Sequence, residues 1–303
     1  MRFAVTVIQP PGYQHSEAFR EVAETVHFAL LRLGHDSVLT REPRLPRRRH
    51  IIFGCNLLPG YPVDIPEDSI LYNLEQVYRG SPWVGDDLLS LFRKYTVWDY
   101  SARNILELQR MGVDGTYHVP IGHVPELERI KPAVQEDIDV LLVGSLNERR
   151  LELIRQLSST GLNAVARFGV YGEERDELIA RAKIVLNLHF HQARVFEIVR
   201  VSYLLANGRF VVSERGSNPD EEAPFAPGMI FGEYAEIADL CRYYVNHDDE
   251  RRARADVGQS IMRSRCATDI LRSALAALPG DDRPPVSVMH PARSAEDVSK
   301  SLT

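Results

Sequence analysis

The chain has 303 residues, 44% hydrophobic and 26% charged, with a formal net charge of −6. That is chain enough for two hydrophobic cores and too acidic a balance for a broad nucleic-acid-binding surface. Its three cysteines, Cys55, Cys241 and Cys266, are odd in number and far apart, which excludes a disulfide framework or a structural zinc as the organising element and fits a reducing cytoplasm.

No apolar run approaches the roughly 20 residues a membrane span needs, and the opening RFAVTVI is too short and poorly flanked for a signal peptide. A cytoplasmic location is expected, with peripheral contact at the inner membrane face as the nearest approach to lipid. FAVTVI (3–8) reads as a buried strand and QPPGYQHS as a loop, by its Pro-Pro-Gly. From Glu17 to Leu33, apolar residues recur at helical spacing (Phe19, Val22, Ala23, Val26, Ala29, Leu30), with Gly34 as the stop and Ser16 as the N-cap. The basic RRR at 47–49 reads as a solvated turn. Short strands follow at 36–40, 50–54, 69–75 and 95–100; Ser101 then caps a helix over 102–112. The segment TYHVPIGHVPELERIKPAV, with three prolines, reads as a crossing between two halves.

The pattern then restarts. DIDVLLVGS (137–145) is the strongest buried strand in the chain and runs into an amphipathic helix ending at Gly161. Strands are expected at 163–169, 183–189, 209–214 and 228–234, and helices at 173–182, 195–208 and 236–245. One charged helix is expected around 248–278, and the polar, proline-bearing tail 279–303 is expected to be disordered. Alternating strands and helices predict an α/β fold of two tandem Rossmann-like domains with an interdomain cleft: residues 1–120, and residues 121–278.

In such sheets ligands bind beyond the carboxyl ends of the strands, and that rule selects the candidates. VGSLNERR offers Gly144 and Ser145 for close backbone approach and Arg149 or Arg150 for the charge of a diphosphate. NLHFHQARVFEIVR (187–200) places His189, Glu197, Arg200 and, one turn on, Tyr203 at one strand edge and helix start; Glu214 ends another strand. In the first half, His15 and Asp99 are the candidate bases, with Gly12 and Glu75 on the acceptor side. No spacing of metal ligands appears, so no metal or cofactor is expected.

These cues, in order, resemble the GT-B glycosyltransferases of the family 1 and 4-like group with CgeB-like members. VPIGHVPEL is similar to the interdomain P-x-G-x-x-P segment, and DVLLVGSLNERR to the opening of the donor domain. RVSYLLANGRFVVSE resembles the helix and strand that close the nucleotide-sugar site; the likeness covers about residues 116–250. It implies a glycosyltransferase with a nucleotide-sugar co-substrate and a carbohydrate, lipid-linked or small-molecule acceptor, without an obligatory metal. Residues Gly144, Ser145, Arg149, Arg150, His189, Glu197, Arg200, Tyr203 and Glu214 would then face the donor. Aligning Gly208 with the family's glycine puts Tyr203 at the sugar-binding turn; the acidic chemistry puts Glu197 there, and both readings stand. The alternatives are a non-catalytic GT-B-like binding or scaffold protein, and a GT-B-fold epimerase or phosphorylase.

Overall fold

The computed structural model describes residues 1–278 apart from Pro132 and Gln192, so the expected tail at 279–303 lies outside the described residues. Among the described residues every strand pairing is parallel. A parallel sheet needs cover on both faces, which is why its strands read as apolar runs. The first sheet contains β1 (Arg2–Val7), β2 (Asp36–Thr40), β3 (Arg49–Phe53), β4 (Ile70–Asn73), β5 (Thr96–Asp99) and β6 (Thr116–His118), in the order β2-β1-β3-β4-β5-β6. Its helices are α1 (Arg20–Arg32), α2 (Asp86–Lys94) and α3 (Ala102–Arg110).

The second sheet contains β7 (Ile138–Val143), β8 (Ala164–Arg167), β9 (Ala182–Asn187), β10 (Val211–Glu214) and β11 (Ile230–Gly232), in the order β11-β10-β9-β7-β8. Around it lie α4 (Glu148–Ser159), α5 (Gly172–Arg181), α6 (Ile198–Ala206), α7 (Pro219–Glu222), α8 (Ile237–Val245) and α9 (Asp248–Ser264). The strand order reverses direction at β1/β3 in one sheet and at β7/β9 in the other. Crevices of this kind, at the carboxyl ends of the strands, are where α/β sheets bind ligands.

One apolar core belongs to both sheets. It runs from Phe3, Val22 and Val26 through Ile121 and Leu127 to Ile179, Val185 and Leu204. Two smaller cores cover the outer faces. The crossing segment and α10 (Ala267–Ala276) close the shared core: α10 packs on α1, and Leu271 joins the same apolar cluster.

Four local expectations change. A 3-10 turn over Gln14–Phe19 precedes α1, so Ser16 lies inside that turn, buried and with its Oγ unpartnered, and caps nothing. A helix the periodicity did not announce, α2, covers the first sheet through Leu88, Leu89 and Phe92. The helix expected at 195–208 starts at Ile198, with Glu197 at its N-cap, because Arg194 takes a left-handed φ of 47°. The single helix expected around 248–278 breaks at Arg265–Cys266. There the backbone pairs with the crossing segment instead: His123 N donates to Arg265 O (2.7 Å) and Ala267 N to His123 O (3.0 Å).

That pairing demands a residue without a side chain at Gly122, where a Cβ would sit 2.6 Å from Ala267 Cα and 2.8 Å from Arg265 O. Gly122→Val is expected to destabilise the fold by about 1–3 kcal/mol through overpacking, read as a lower urea midpoint with an unchanged slope. An unchanged midpoint would show that the crossing segment and α10 are not in this contact.

Candidate functional site

A cavity of about 540 Å³ opens between the carboxyl ends of the two sheets and takes side chains from both. On the second-sheet side, β7 ends at Val143 and the chain turns at Gly144, whose φ of 135° lies in the region that favours glycine. A Cβ there would approach Arg200 Nη2 to 3.5 Å and Arg150 Nη1 to 3.7 Å. Gly144 is therefore the floor on which two guanidinium groups rest. Asn147 caps the helix that follows, its Oδ1 accepting from Arg150 N at 2.9 Å.

Arg150 is almost wholly enclosed. Its Nη1 donates to Ser145 O (2.7 Å) and its Nη2 to Leu188 O, while Nε is buried without a partner. Burial, and then the neighbouring Arg200 charge, pull it down to about 10, so it stays charged at neutral pH. Arg200 pairs through Nη2 with Glu197, leaving Nη1 buried and unpartnered. Burial alone would raise the Glu197 carboxyl, but Arg200, Arg150, His189 and His191 together hold it below the usual carboxylate range. Two cations facing one anion, Arg150 enclosed and Arg200 partly exposed, leave the site with an excess of positive charge and unused N–H donors.

The neighbours assigned to the same face from sequence are placed differently. Arg149 points away, ion-paired to Glu214 and stacked 3.7 Å over the Tyr234 ring. Glu214 is buried and occupied, holding Arg149 and accepting from His189 N at 3.1 Å. The His189 ring is enclosed, both nitrogens unpartnered, and burial lowers its pKa. None of these three lines the cavity; Gly144, Ser145, Arg150, Glu197, Arg200 and Tyr203 do. Tyr203 contributes its ring, since its hydroxyl donates to Asp176 Oδ2 (2.7 Å) and accepts from Arg129 Nε (2.9 Å). Of the two residues considered for the sugar-facing turn, Glu197 is the one whose polar group meets Arg150 and Arg200, while the Tyr203 hydroxyl is turned to Arg129.

On the first-sheet side, His15 lines the cavity with Nδ1 hydrogen-bonded to the Tyr171 hydroxyl (2.7 Å) and its ring 4.8 Å from Phe168. Glu75 lines it one residue beyond Leu74, with Asn56 Nδ2 donating to its Oε1 at 3.2 Å. Burial and then the Glu197 charge push the Glu75 carboxyl up to about 7. Asp99 is corrected as a candidate base. It is sealed beneath the wall and accepts from Asn73 Nδ2 (2.7 Å), Ser101 N (2.8 Å) and Asn104 Nδ2 (3.0 Å), so it reaches no ligand. Gly12 is likewise corrected: it makes the left-handed turn (φ 74°) before Tyr13, and Tyr13 lines the cavity in its place.

Sequence reasoning did not select Gln76, Trp83, Phe168, Tyr171 or Arg175, all of which line the cavity. Arg175 donates to Glu21 (2.7 Å) on α1 and to Asp176 (2.8 Å), and Arg129 donates to Glu24 (2.6 Å). These bonds tie the two halves together behind Tyr203. Among the described residues, no group of three or more His, Cys, Asp or Glu side chains is arranged to hold a metal ion.

Residues 127–269 match a family model described as glycosyl transferase-like. An uncharacterized protein of Acanthamoeba polyphaga mimivirus is 26% identical over 205 residues, covering 65% of this chain and 66%, just under two thirds, of the viral protein. Among solved structures, Anabaena HepE in complex with UDP and glucose superposes with a TM-score of 0.58 at 11% identity, over 91% of this chain and 99% of that one. WaaG, a glycosyltransferase involved in lipopolysaccharide biosynthesis, gives 0.53 at 13% identity, over 92% and 99%. AviGT4, a glycosyltransferase involved in avilamycin A biosynthesis, gives 0.51 at 17% identity, over 92% and 99%. At these identities the structural likeness is one of fold.

The buried polar cluster beneath the wall makes a sharp demand on Asp99. The Asn73 and Asn104 amides cannot turn over, because their oxygens accept from Glu75 N (3.2 Å) and Val77 N (3.0 Å). Asp99→Asn would set an NH₂ against these fixed donors. It is expected to cost about 1–3 kcal/mol, measured by urea denaturation; a neutral result would mean the donors do not converge there.

Proposed function

We infer that this chain, whose residues 127–269 form a glycosyl transferase-like domain, is a glycosyltransferase of the GT-B fold that draws its sugar from a nucleotide-sugar donor. The observation that carries this reading is the pair Arg150 and Arg200. Both converge over Gly144 at the open end of β7, both charged, each keeping a buried N–H without a partner. A diphosphate is the ligand chemistry that such a pair suits. It brings negative charge that a single carboxylate does not supply, and its oxygens accept several charge-assisted hydrogen bonds at once. HepE is known in complexes with UDP, glucose and UDP-glucose, so uridine nucleotides are the first donors to try.

In this reading the sugar lies toward Glu197, whose carboxylate accepts hydroxyl hydrogen bonds while the two arginines fix its orientation. When the glycosidic bond to the diphosphate breaks, charge accumulates on the departing phosphate. Preorganised cations in a water-poor site stabilise that charge with little reorganisation. The guanidinium groups supply it, so the reading requires no resident metal. The acceptor, a carbohydrate, lipid-linked or small-molecule hydroxyl compound, enters along Tyr13, Glu75 and Trp83. No helix among the described residues is long and apolar enough to cross a membrane; any membrane contact in this reading is peripheral.

A thermal-shift panel of UDP, GDP, TDP and their sugars tests the donor. One nucleotide is expected to stabilise the wild type, by about 2.7 kcal/mol at a hundredfold excess over its Kd. Arg200→Ala, and Gly144→Val, which pushes a side chain into both guanidinium groups, are expected to lose most of that shift. Equal response to every nucleotide, response to none, or full response by both variants would refute the donor site.

A further inference from the structure

The first-sheet wall of the cavity is built around one carboxylate. Asn73 Oδ1 accepts from Glu75 N (3.2 Å), and both Asn73 Nδ2 (2.9 Å) and Asn104 Nδ2 (3.0 Å) donate to Glu75 O. Asp99, buried behind them, fixes both amides. The next residue is pinned from the other half: Gln76 Nε2 donates to Val195 O (3.4 Å), and Val195 N donates to Gln76 Oε1 (3.3 Å). Val195 lies two residues before Glu197, so this reciprocal pair holds the backbone of Glu75 opposite the donor-side machinery. Asn56 then occupies Oε1, and among the described residues no hydrogen bond reaches Oε2 and no ion pair engages the carboxylate.

We propose that Glu75 is the catalytic base that takes the acceptor's proton, and that Asn56, Asn73, Asn104 and Gln76 are the residues that position it. The assignment rests on the nucleotide-sugar reading above. In the step, the acceptor oxygen forms a bond to the anomeric carbon as its proton passes to Glu75 Oε2. The bond from the anomeric carbon to the diphosphate oxygen breaks, and its electron pair leaves with the nucleoside diphosphate. Glu75 returns the proton to solvent after the products depart.

The rival groups are less suited. Asp99 cannot reach the cavity, and His15 has Nδ1 engaged by Tyr171 and its ring tilted against Phe168, 4.8 Å between centroids. The groups facing Glu75 from the surrounding elements are Tyr13 after β1, Cys55 after β3, Tyr100 after β5 and Glu197 at the head of α6. None is a cation that would hold the carboxylate acidic. Its raised value near 7 suits a group that must accept and release a proton at neutral pH.

The test takes the donor giving the largest thermal shift and measures nucleoside diphosphate release with water as acceptor, from pH 5 to 9, in wild type and Glu75→Gln. The amide keeps the size of the carboxylate and removes the base. Wild-type turnover is expected to rise through about pH 7 and level off, because the ionised carboxylate is the active form. Glu75→Gln is expected to lose about 100-fold or more in kcat and the rise with it, while its thermal shift with the nucleotide stays that of wild type; Glu75→Asp recovers part of the rate. Turnover within twofold of wild type in Glu75→Gln, persistence of the rise, or no release by a donor-bound wild type at any pH overturns the assignment and leaves the donor site standing. A wild type that no nucleotide stabilises removes the donor reading itself, and the base with it.

Discussion

Everything at the cleft depends on how the two sheets are held relative to one another, and beside the apolar core they share Arg129 is the polar tie that spans them. From the crossing segment its guanidinium reaches Glu21 and Glu24 on α1 and the Tyr203 hydroxyl on α6, while Arg175 joins Glu21 from α5. Burial alone would make Arg129 easier to deprotonate, yet Tyr203 and Glu24 more than compensate and hold its proton more tightly than in water. Such a partly buried network is weak evidence for raw stability, because desolvation offsets much of the attraction. Its value here is geometric. Three helices and a linker are fixed to one planar cation, and the cavity is the space they leave.

Within that space the charges are arranged asymmetrically. The second sheet presents two arginines restrained by one carboxylate; the first presents a carboxylate with no cation beside it. Glu197 stands between them, attracted by Arg150 and Arg200 and raising the proton affinity of Glu75 across the cleft. Two carboxylates in one cavity are thereby driven to different protonation behaviour by their surroundings alone, the arrangement that acid–base chemistry at neutral pH requires.

The two sheets were legible because each parallel strand must be apolar on both faces: DIDVLLV has no other stable reading. The site was legible to the level of which loops matter, through the carboxyl-end rule, and less so to the level of which side chain. Arg149 and Arg150 are neighbours in sequence but point about 100° apart on a helix, and only the inward one serves the cavity. The signal was present: Arg150 shares the stripe of Leu153, Ile154 and Leu157, the buried face of α4. A buried arginine on an apolar stripe is a stronger cue than a second arginine beside it. No such signal existed for the start of α6, where Val195 and Phe196 continue the helical period. The backbone of Val195 is captured by Gln76, 119 residues away, a contact no local pattern encodes. Asp99 misled for a related reason: ionisable and placed at a strand end, it looks like a base until its donors on neighbouring elements are seen.

The return of α10 to the first half has a consequence for biosynthesis. Residues Ala267, Ile270 and Leu271 of α10 fill a groove whose other walls, Val22, Val26, Tyr72, Val119 and Ile121, lie among the first 130 residues, so the N-terminal half emerges from the ribosome with an apolar groove along α1 and the crossing segment that nothing yet fills. It must keep that groove from misassociating until nearly the whole second half has been synthesised and folded, at a chain growth of about 5–20 residues per second. The order of translation thus makes the second half a prerequisite for finishing its partner, and a chain halted before Ala267 would leave a complete second sheet beside an unsealed first one.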